Sequence, residues 1–338
     1  MSFKPFLRLL CDGRLTALLG AGAELKSFYK LSYVAAAGSA GLLNRLAIRP
    51  ATLDSLAEFY TARGQGREAL EAFLQMGLRL RLLRLGPRGY TLRGLANWLA
   101  QPKNDPALAM VEEVAGLHHK LISGTLPKLL RGELWSLADQ DGELIARSSR
   151  VLEAFQAEII ERTIPTQGAL RLLEIGCGSG VYLRYAVGKN PSLSALGLEM
   201  QSAVAQMARK NIRSWGLEDR IKIEEGDLRT RNFSELFDVA TLFNNIYYFP
   251  VEERVKLLER VRRMLKPGGF LLLTTCCQGG SLGVEALNLW SASTHGAGRL
   301  PAKDELVDQL QEAGYATVKT TNLIPGDRFI AFQAILAK

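Results

Sequence analysis

The chain has 338 residues, enough for two domains with a sizeable core, and its 47% apolar and 22% charged residues are ordinary for a globular protein. No apolar stretch approaches the roughly 20 residues that a membrane span needs, so no membrane partner is expected. Four cysteines are too few for a disulfide scaffold, which favours a reducing, cytoplasmic location, and the net charge of +8 is a mild indication of an anionic partner.

The first 165 residues have a mostly helical pattern, with apolar residues at three- and four-residue steps. The exception is the stretch 77–94, in which leucines alternate with arginines before a Gly-Pro-Arg-Gly turn, and this pattern predicts a β-hairpin. Two predicted helices precede the hairpin, and helix, helix, hairpin is the order of a winged helix. We therefore expect a mainly α-helical, winged-helix-like domain over 1–105 and a helical connector over 106–165.

From about residue 168 the pattern alternates between strand and helix. Short leucine-rich and β-branched runs predict strands, and they read RLLEIG, SALGLE, IKIEEG, DVATLF and GFLLLTTC. Such alternation gives an α/β fold with a mostly parallel sheet. Two further apolar segments, ATVKTTNL and FIAFQAILAK, end the chain and predict a closing antiparallel hairpin at the edge of the sheet.

The first predicted strand leads into a turn that is rich in glycine. Gly176, Gly178 and Gly180 permit positive φ angles and a close approach of the backbone to a ligand. A dinucleotide fingerprint has the spacing G-x-G-x-x-G, and here the third glycine comes one residue early. The glycines by themselves are therefore only a weak indication of a nucleotide site.

Three carboxylates near the same edge strengthen the nucleotide interpretation. Glu199 ends the second strand and can accept hydrogen bonds from both ribose hydroxyls, whereas Asp227 follows the third strand, near the expected adenine. Glu174 precedes the turn and could bind a cationic amino group. Together, the three acids fit S-adenosylmethionine better than a nicotinamide dinucleotide.

Five motifs in this order resemble those of the class I S-adenosylmethionine-dependent methyltransferases, namely LLEIGCGSG, LGLE, EEGDL, FDVATLFNNIYYFP and MLKPGGFLLLTT. The resemblance implies a Rossmann-like, seven-stranded methyltransferase sheet over 166–338 whose last strand is antiparallel. It also implies S-adenosylmethionine as cofactor and S-adenosylhomocysteine as product. The implied cofactor-binding residues are Glu174, Gly176, Gly178, Gly180, Glu199, Met200, Asp227, Leu228 and Asn244.

The N-terminal layout resembles that of small-molecule O-methyltransferases of secondary metabolism, in which a winged-helix domain pairs the subunits and covers the substrate. This resemblance implies a homodimer through the N-terminal domain and a small, partly apolar acceptor. Oxygen is favoured as the methylated atom, and carbon and nitrogen remain open. The family usually has a catalytic histidine just after the fourth strand, whereas this chain has Asn244 and Asn245 there.

Four side chains are candidates for the chemistry. Asn244 follows the fourth strand and could orient the acceptor, and Tyr247 could line the pocket or pack in the core. His295 lies in the long connection 278–301 and is the leading candidate for a general base. His118 adjoins His119 on one predicted helix, so one of the two imidazoles could reach the cleft, although the pattern favours two surface histidines. No cluster of carboxylates and histidines has the spacing of metal ligands, so no metal is expected.

A function of another class also fits part of the chain. The segment 72–104 contains five arginines and no acidic residue, and a basic wing could follow phosphates. This pattern keeps open a DNA-binding regulator that senses S-adenosylmethionine. However, the arginines also fit the solvent face of a hairpin whose leucines face a partner subunit, and the preceding helix has little with which to read bases. Nucleic-acid binding is therefore the less favoured alternative.

Overall fold

The structure is a computed structural model that describes residues 3–61, 65–231, 233 and 236–337. The chain divides into two compact units. The first consists of Met1–Lys120 and Asp141–Val151, and the second of Leu121–Gln140 and Leu152–Lys338. The predicted connector is thus divided between both units.

The first unit is mainly helical. Its helices are α1 (Lys4–Cys11), α2 (Arg14–Ser39), α3 (Leu42–Ile48), α4 (Leu53–Tyr60), α5 (Arg67–Arg79), α6 (Leu95–Leu99), α7 (Asp105–Glu113) and α9 (Gly142–Ser148). A π-helical turn, Val114–His118, follows α7 and leads into α8 (His119–Leu130). Although α2 has 26 residues, no helix in the described ranges combines the length and apolarity needed to cross a bilayer.

The predicted hairpin consists of β1 (Leu83–Gly86) and β2 (Gly89–Leu92), and its predicted turn is confirmed because Gly86 pairs with Gly89. The prediction that the hairpin begins at residue 77 is wrong, because its first strand starts only at Leu83. Helix α5 continues to Arg79, because its buried face packs in the core of this unit, where Tyr33 leaves no space for a side chain at Gly77. Packing along the helix therefore outweighs the local alternation of leucine and arginine.

The second unit contains a seven-stranded sheet in the order β5-β4-β3-β6-β7-β9-β8. Its strands are β3 (Arg171–Ile175), β4 (Ser194–Glu199), β5 (Ile221–Glu225), β6 (Phe237–Phe243), β7 (Leu265–Cys276), β8 (Thr317–Asn322) and β9 (Phe329–Ile335). Strand β9 is antiparallel to both β7 and β8, whereas β3 to β7 pair in parallel. The predicted sheet and its closing antiparallel hairpin are confirmed.

Helices cover both faces of this sheet. The helices of the second unit after α8 are α10 (Glu153–Thr163), α11 (Val181–Lys189), α12 (Ser202–Ser214), α13 (Arg254–Arg263), α14 (Leu282–Ala292) and α15 (Lys303–Glu312). Leu172 and Leu173 are neighbours in β3 and therefore point to opposite faces, yet both are buried. Strands that are buried on both faces give the continuous apolar runs seen in the sequence.

The strand order determines where a ligand can bind. The chain runs from β3 outward to β4 and β5, and then returns to place β6 on the other side of β3. This reversal is a topological switch point, where the loops at the carboxyl ends of β3 and β6 diverge and leave a crevice. The glycine turn follows β3 and Asn244 follows β6, so both lie at this point.

Candidate active site

The turn between β3 and α11 exposes its backbone at the switch point. Gly176, Gly178 and Gly180 have φ angles of 66°, 53° and 79°, in the left-handed region that side chains disfavour. The amide of Gly176 donates to the carbonyl of Leu198 at 2.8 Å, which joins the turn to β4. A Cβ atom on Gly178 would meet nothing within 4 Å, so this backbone is open to a ligand.

Asn245 fixes the other side of the turn. Its Nδ2 donates to the carbonyl of Ile175 at 2.6 Å, so the segment after β6 is tied to the end of β3. A Cβ atom on Gly176 would lie 2.5 Å from the same Nδ2. Glycine at 176 is thus required both by its φ angle and by this contact. Sequence reasoning gave Asn245 no such role, because its partner is 70 residues away.

The carboxylate of Glu199 folds back onto the glycine turn from the end of β4. Its Oε2 accepts a hydrogen bond from the amide of Gly178 at 3.1 Å, and its Oε1 accepts one from the amide of Gln201 at 3.0 Å. Met200, next in the chain, is exposed. The acid predicted to bind ribose therefore lies directly beside the glycines.

Glu174 is buried immediately before the turn. The amide of Leu183, in the first turn of α11, donates to its carboxylate, and Oε2 has no hydrogen-bond partner among the described residues. Burial, together with the negative charge of Glu199, raises the pKa of Glu174 well above its usual range. An unpartnered buried carboxylate oxygen beside the turn suits the ammonium group of S-adenosylmethionine, so the residues present fit this cofactor.

Asp227, which is predicted to lie near the adenine, forms an ion pair with Arg229. Both of its carboxylate oxygens accept from the guanidinium of Arg229, with Nη2 to Oδ2 at 2.7 Å and Nε to Oδ1 and Oδ2 at 3.1 and 3.0 Å. This interaction lowers the pKa of Asp227. Leu228 is buried, and its carbonyl accepts from Nε of Arg260 at 2.6 Å, which fixes the turn to α13.

Asn244 adopts an unusual conformation at the end of β6. Its φ angle is +55°, which is uncommon for a residue with a side chain and costs of order 1 kcal/mol. Its amide donates to the carbonyl of Thr274 at 2.8 Å, and its buried Oδ1 has no partner in the described part of the chain. A strained backbone with an unsatisfied polar atom at the switch point is typical of a functional position.

Tyr247 belongs to an aromatic group just beyond Asn244. Its ring centroid lies 5.0 Å from that of Tyr248 and 6.3 Å from that of Trp290, which meets it edge-on. Around these rings lies an apolar cluster that includes Leu121, Cys276, Val284, Leu300 and Phe329. Burial raises the pKa of the Cys276 and Cys277 thiols to about 12, so both remain neutral packing groups.

The two predicted histidines lie in different units. His295 is in the second unit, after α14, where its amide donates to the carbonyl of Trp135 at 2.8 Å while its imidazole is exposed. His118 is in the first unit, in the π-helical turn, and its Nε2 lies 3.3 Å from Oε1 of Glu113. Across the described residues, no group of three or more histidine, cysteine or acidic side chains could hold a metal ion.

A family model described as a methyltransferase domain matches residues 172–269, from β3 into β7. This range contains the glycine turn, Glu199, Asp227 and Asn244. Residues 172–269 form a methyltransferase domain. The strand order of the whole sheet and its closing hairpin, β8 and β9, are those implied by the resemblance to class I S-adenosylmethionine-dependent methyltransferases, and the expected fold is confirmed.

The similarity to known proteins extends beyond residues 172–269. The demethylspheroidene O-methyltransferase of Rhodobacter capsulatus is 24% identical over 75% of this chain and 67% of its own length. The chain spans 5% to 41% of the length of further curated relatives. The mitomycin 7-O-methyltransferase structure superposes with a TM-score of 0.79 at 19% identity, covering 97% of this chain and all of that one.

A human structure has the same fold. N-acetylserotonin methyltransferase in complex with S-adenosylmethionine superposes with a TM-score of 0.73 at 16% identity, covering 96% of this chain and 98% of that chain. These proteins are named as methyltransferases, so the comparisons give no support to the DNA-binding alternative.

Proposed function

We propose that this protein transfers a methyl group from S-adenosylmethionine to an oxygen atom of a small, partly apolar metabolite. The observation that carries the proposal is the orphaned Oε2 of Glu174 beside the glycine turn that Glu199 braces. When bound, S-adenosylmethionine supplies a methyl group on a sulfonium, which is an excellent leaving group. The protein then has to hold the donor, align the acceptor and exclude water.

Each part of the donor has a partner in this arrangement. Glu174 pairs with its ammonium group, the open backbone at Gly178 accommodates the methionine portion, and Glu199 accepts from the ribose hydroxyls. Asp227 and the buried Leu228 serve the adenine, and the exposed Met200 flanks the ribose. These roles rest on the positions of the residues at one edge of the sheet.

The chemical class of the acceptor is inferred from the residues that follow β6. Asn244 has an unsatisfied Oδ1 that can accept a hydrogen bond and orient the acceptor, and Tyr247, Tyr248 and Trp290 present aromatic rings to an apolar body. The relatives named as acting on demethylspheroidene and mitomycin are O-methyltransferases, which favours oxygen and a role in secondary metabolism.

Calorimetric titration of S-adenosylmethionine and S-adenosylhomocysteine tests the donor site. We expect micromolar dissociation constants for the wild-type protein and for Glu225→Ala, which removes an exposed acid from the end of the neighbouring strand β5. An absence of binding to both compounds would contradict the proposal.

A labelled methyl donor then identifies acceptors from a metabolite library. With an acceptor in hand, Asn244→Gly is expected to lower kcat/KM about tenfold, because glycine keeps the positive φ and removes only the side-chain amide. His295→Ala tests whether this imidazole acts as the general base. A tenfold loss in kcat for this variant, with a changed pH profile, would support His295 as the base, and an unchanged kcat would exclude it from that role.

We further infer that a second copy of this chain covers α1 and the N-terminal part of α2, as far as Phe28. Leu18, Leu19 and Phe28 are 59%, 66% and 50% exposed, although they lie on different sides of α2. A helix that is apolar all round belongs in a buried interior, and so large an exposed apolar surface is typical of an interface. Homodimerisation through the N-terminal domain, and a winged-helix assignment for α4, α5 and the hairpin, are part of this proposal.

Leu18→Glu combined with Leu19→Glu is expected to convert the dimer to a monomer, because two charges would be buried at the interface. Light scattering after gel filtration measures the molar mass. Leu282→Glu, at a leucine that is 89% exposed on α14, is the matched control and should leave the mass unchanged. A wild-type monomer, or a double variant that remains dimeric, would refute the interface.

We propose a cytoplasmic location because the cysteines of this chain are not paired in disulfides. Cys11, Cys177, Cys276 and Cys277 all occur as free thiols, and the last three are buried. This condition suits a reducing compartment.

A further inference from the structure

The carboxylate of Asp227, which the proposed function assigns to the adenine, is bound by Arg229 in this structure. An adenine amino group needs a carboxylate oxygen as acceptor, and both oxygens of Asp227 are taken by the fork of Arg229. The amide of Arg229 donates to Oδ1 as well, at 2.8 Å. Four hydrogen bonds from one residue therefore close the adenine side of the donor site.

The backbone around this pair is held from outside. Nε of Arg260 donates to the carbonyl of Leu228 at 2.6 Å, and Nη2 of Arg260 donates to the carbonyl of Arg231 at 2.8 Å. Because α13 fixes both carbonyls, the turn does not need to move to release Asp227. Only the side chain of Arg229, which is 51% exposed, has to rotate away.

We propose that Arg229 is a competitive latch on the donor site: it occupies Asp227 in the free protein and is displaced by the adenine amino group when the donor binds. The proposal rests on the proposed function, because it assigns Asp227 to the adenine. Arg229 already donates four hydrogen bonds to the roughly four lone-pair sites of this carboxylate, so the adenine amino group can bind only after a donor of the guanidinium has left.

The size of the effect follows from the exposure of the pair. Ion pairs at such exposed sites are worth at most about 1 kcal/mol, so the latch weakens donor affinity by about two- to fivefold. Salt screens an exposed pair, so the latch loosens as ionic strength rises. S-adenosylhomocysteine carries one positive and one negative charge at neutral pH, which makes it a suitable probe because its own net charge is zero.

Calorimetric titration of S-adenosylhomocysteine into the full-length protein tests the latch. We expect Arg229→Ala to bind about two- to fivefold more tightly than the wild type. Added sodium chloride should tighten binding in the wild type and have no such effect in Arg229→Ala. In the Asp227→Asn background, the same Arg229→Ala change should alter affinity by less than about 1.5-fold, because the latch has lost its partner.

Arg231→Ala provides the matched control. Arg231 lies two residues further along and pairs with Glu224, so its removal changes the net charge equally without touching Asp227. We expect wild-type affinity for this variant. Equal tightening in Arg231→Ala would overturn the latch in favour of a general charge effect.

Two further outcomes would also overturn the proposal. Weaker binding by Arg229→Ala would mean that the guanidinium contacts the bound adenosine. Unchanged binding at every salt concentration would mean that the ion pair between Arg229 and Asp227 does not compete with the ligand. If the wild-type protein binds neither S-adenosylhomocysteine nor S-adenosylmethionine, the proposed function itself fails, and the latch fails with it.

Discussion

Replacing Glu199 with alanine is expected to weaken the binding of S-adenosylhomocysteine by about 100-fold, as measured by calorimetry. The variant loses charge-assisted hydrogen bonds to the ribose hydroxyls, which contribute about 1.5–3 kcal/mol each. It also loses the acceptor that holds the amide of Gly178 at 3.1 Å, so the glycine turn is less well ordered before the ligand arrives.

Two controls separate binding from folding in this experiment. Glu225→Ala removes a carboxylate from the neighbouring strand end, where it pairs in register with Glu199, and should keep wild-type affinity. Circular dichroism should show native helix content for Glu199→Ala, because the residue lies at the edge of the sheet rather than in its core. A loss smaller than about threefold would exclude Glu199 from the donor site.

Gly176→Ala is expected to lower the free energy of unfolding by about 2–3 kcal/mol and to abolish donor binding. The φ angle of 66° costs an alanine about 1 kcal/mol. The new Cβ would also lie 2.5 Å from Nδ2 of Asn245, which must then give up its hydrogen bond to the carbonyl of Ile175. Urea denaturation measures the loss of stability.

Gly188→Ala is the matched control for this substitution. Gly188 lies in α11, where an added Cβ meets nothing within 4 Å, so alanine should stabilise the helix by about 0.5–1 kcal/mol. Adding Asn245→Ala to Gly176→Ala should remove the steric part of the loss and leave the φ strain. Full stability in Gly176→Ala would show that the turn adapts without cost.

The central strands of the second unit were predictable because they are buried on both faces, which gives β3, β6 and β7 nearly continuous apolar runs. The outer strands β5 and β8 are largely exposed, and they were located from their place between predicted helices and turns. Strand β7 was placed too late, because Leu265 already pairs with Phe237 before a register shift. The start of the hairpin was misplaced for a related reason, since contacts made by Gly77 across the first unit decide where α5 ends.

The position of Glu199 beside the glycines was predictable because the carboxyl ends of parallel strands meet at one edge. Glu199 needed only this rule to be placed beside the glycines, and its contact with Gly178 bears the rule out. The contact between Asn245 and the end of β3 joins residues 70 apart and leaves no local pattern. The backbone contact between His295 and Trp135 leaves no local pattern either.

If Glu174 holds the ammonium group of the donor, as proposed, its buried carboxyl group links donor binding to protonation. Burial raises its pKa, so the free protein keeps this proton to a higher pH than an exposed glutamate would. An ammonium group placed against Oε2 favours the ionised form and lowers that pKa again. Between the two pKa values, each binding event expels a proton into the buffer, and the apparent affinity rises with pH until the free carboxyl has ionised by itself. On the proposed role of Glu174, donor binding is therefore expected to release a proton.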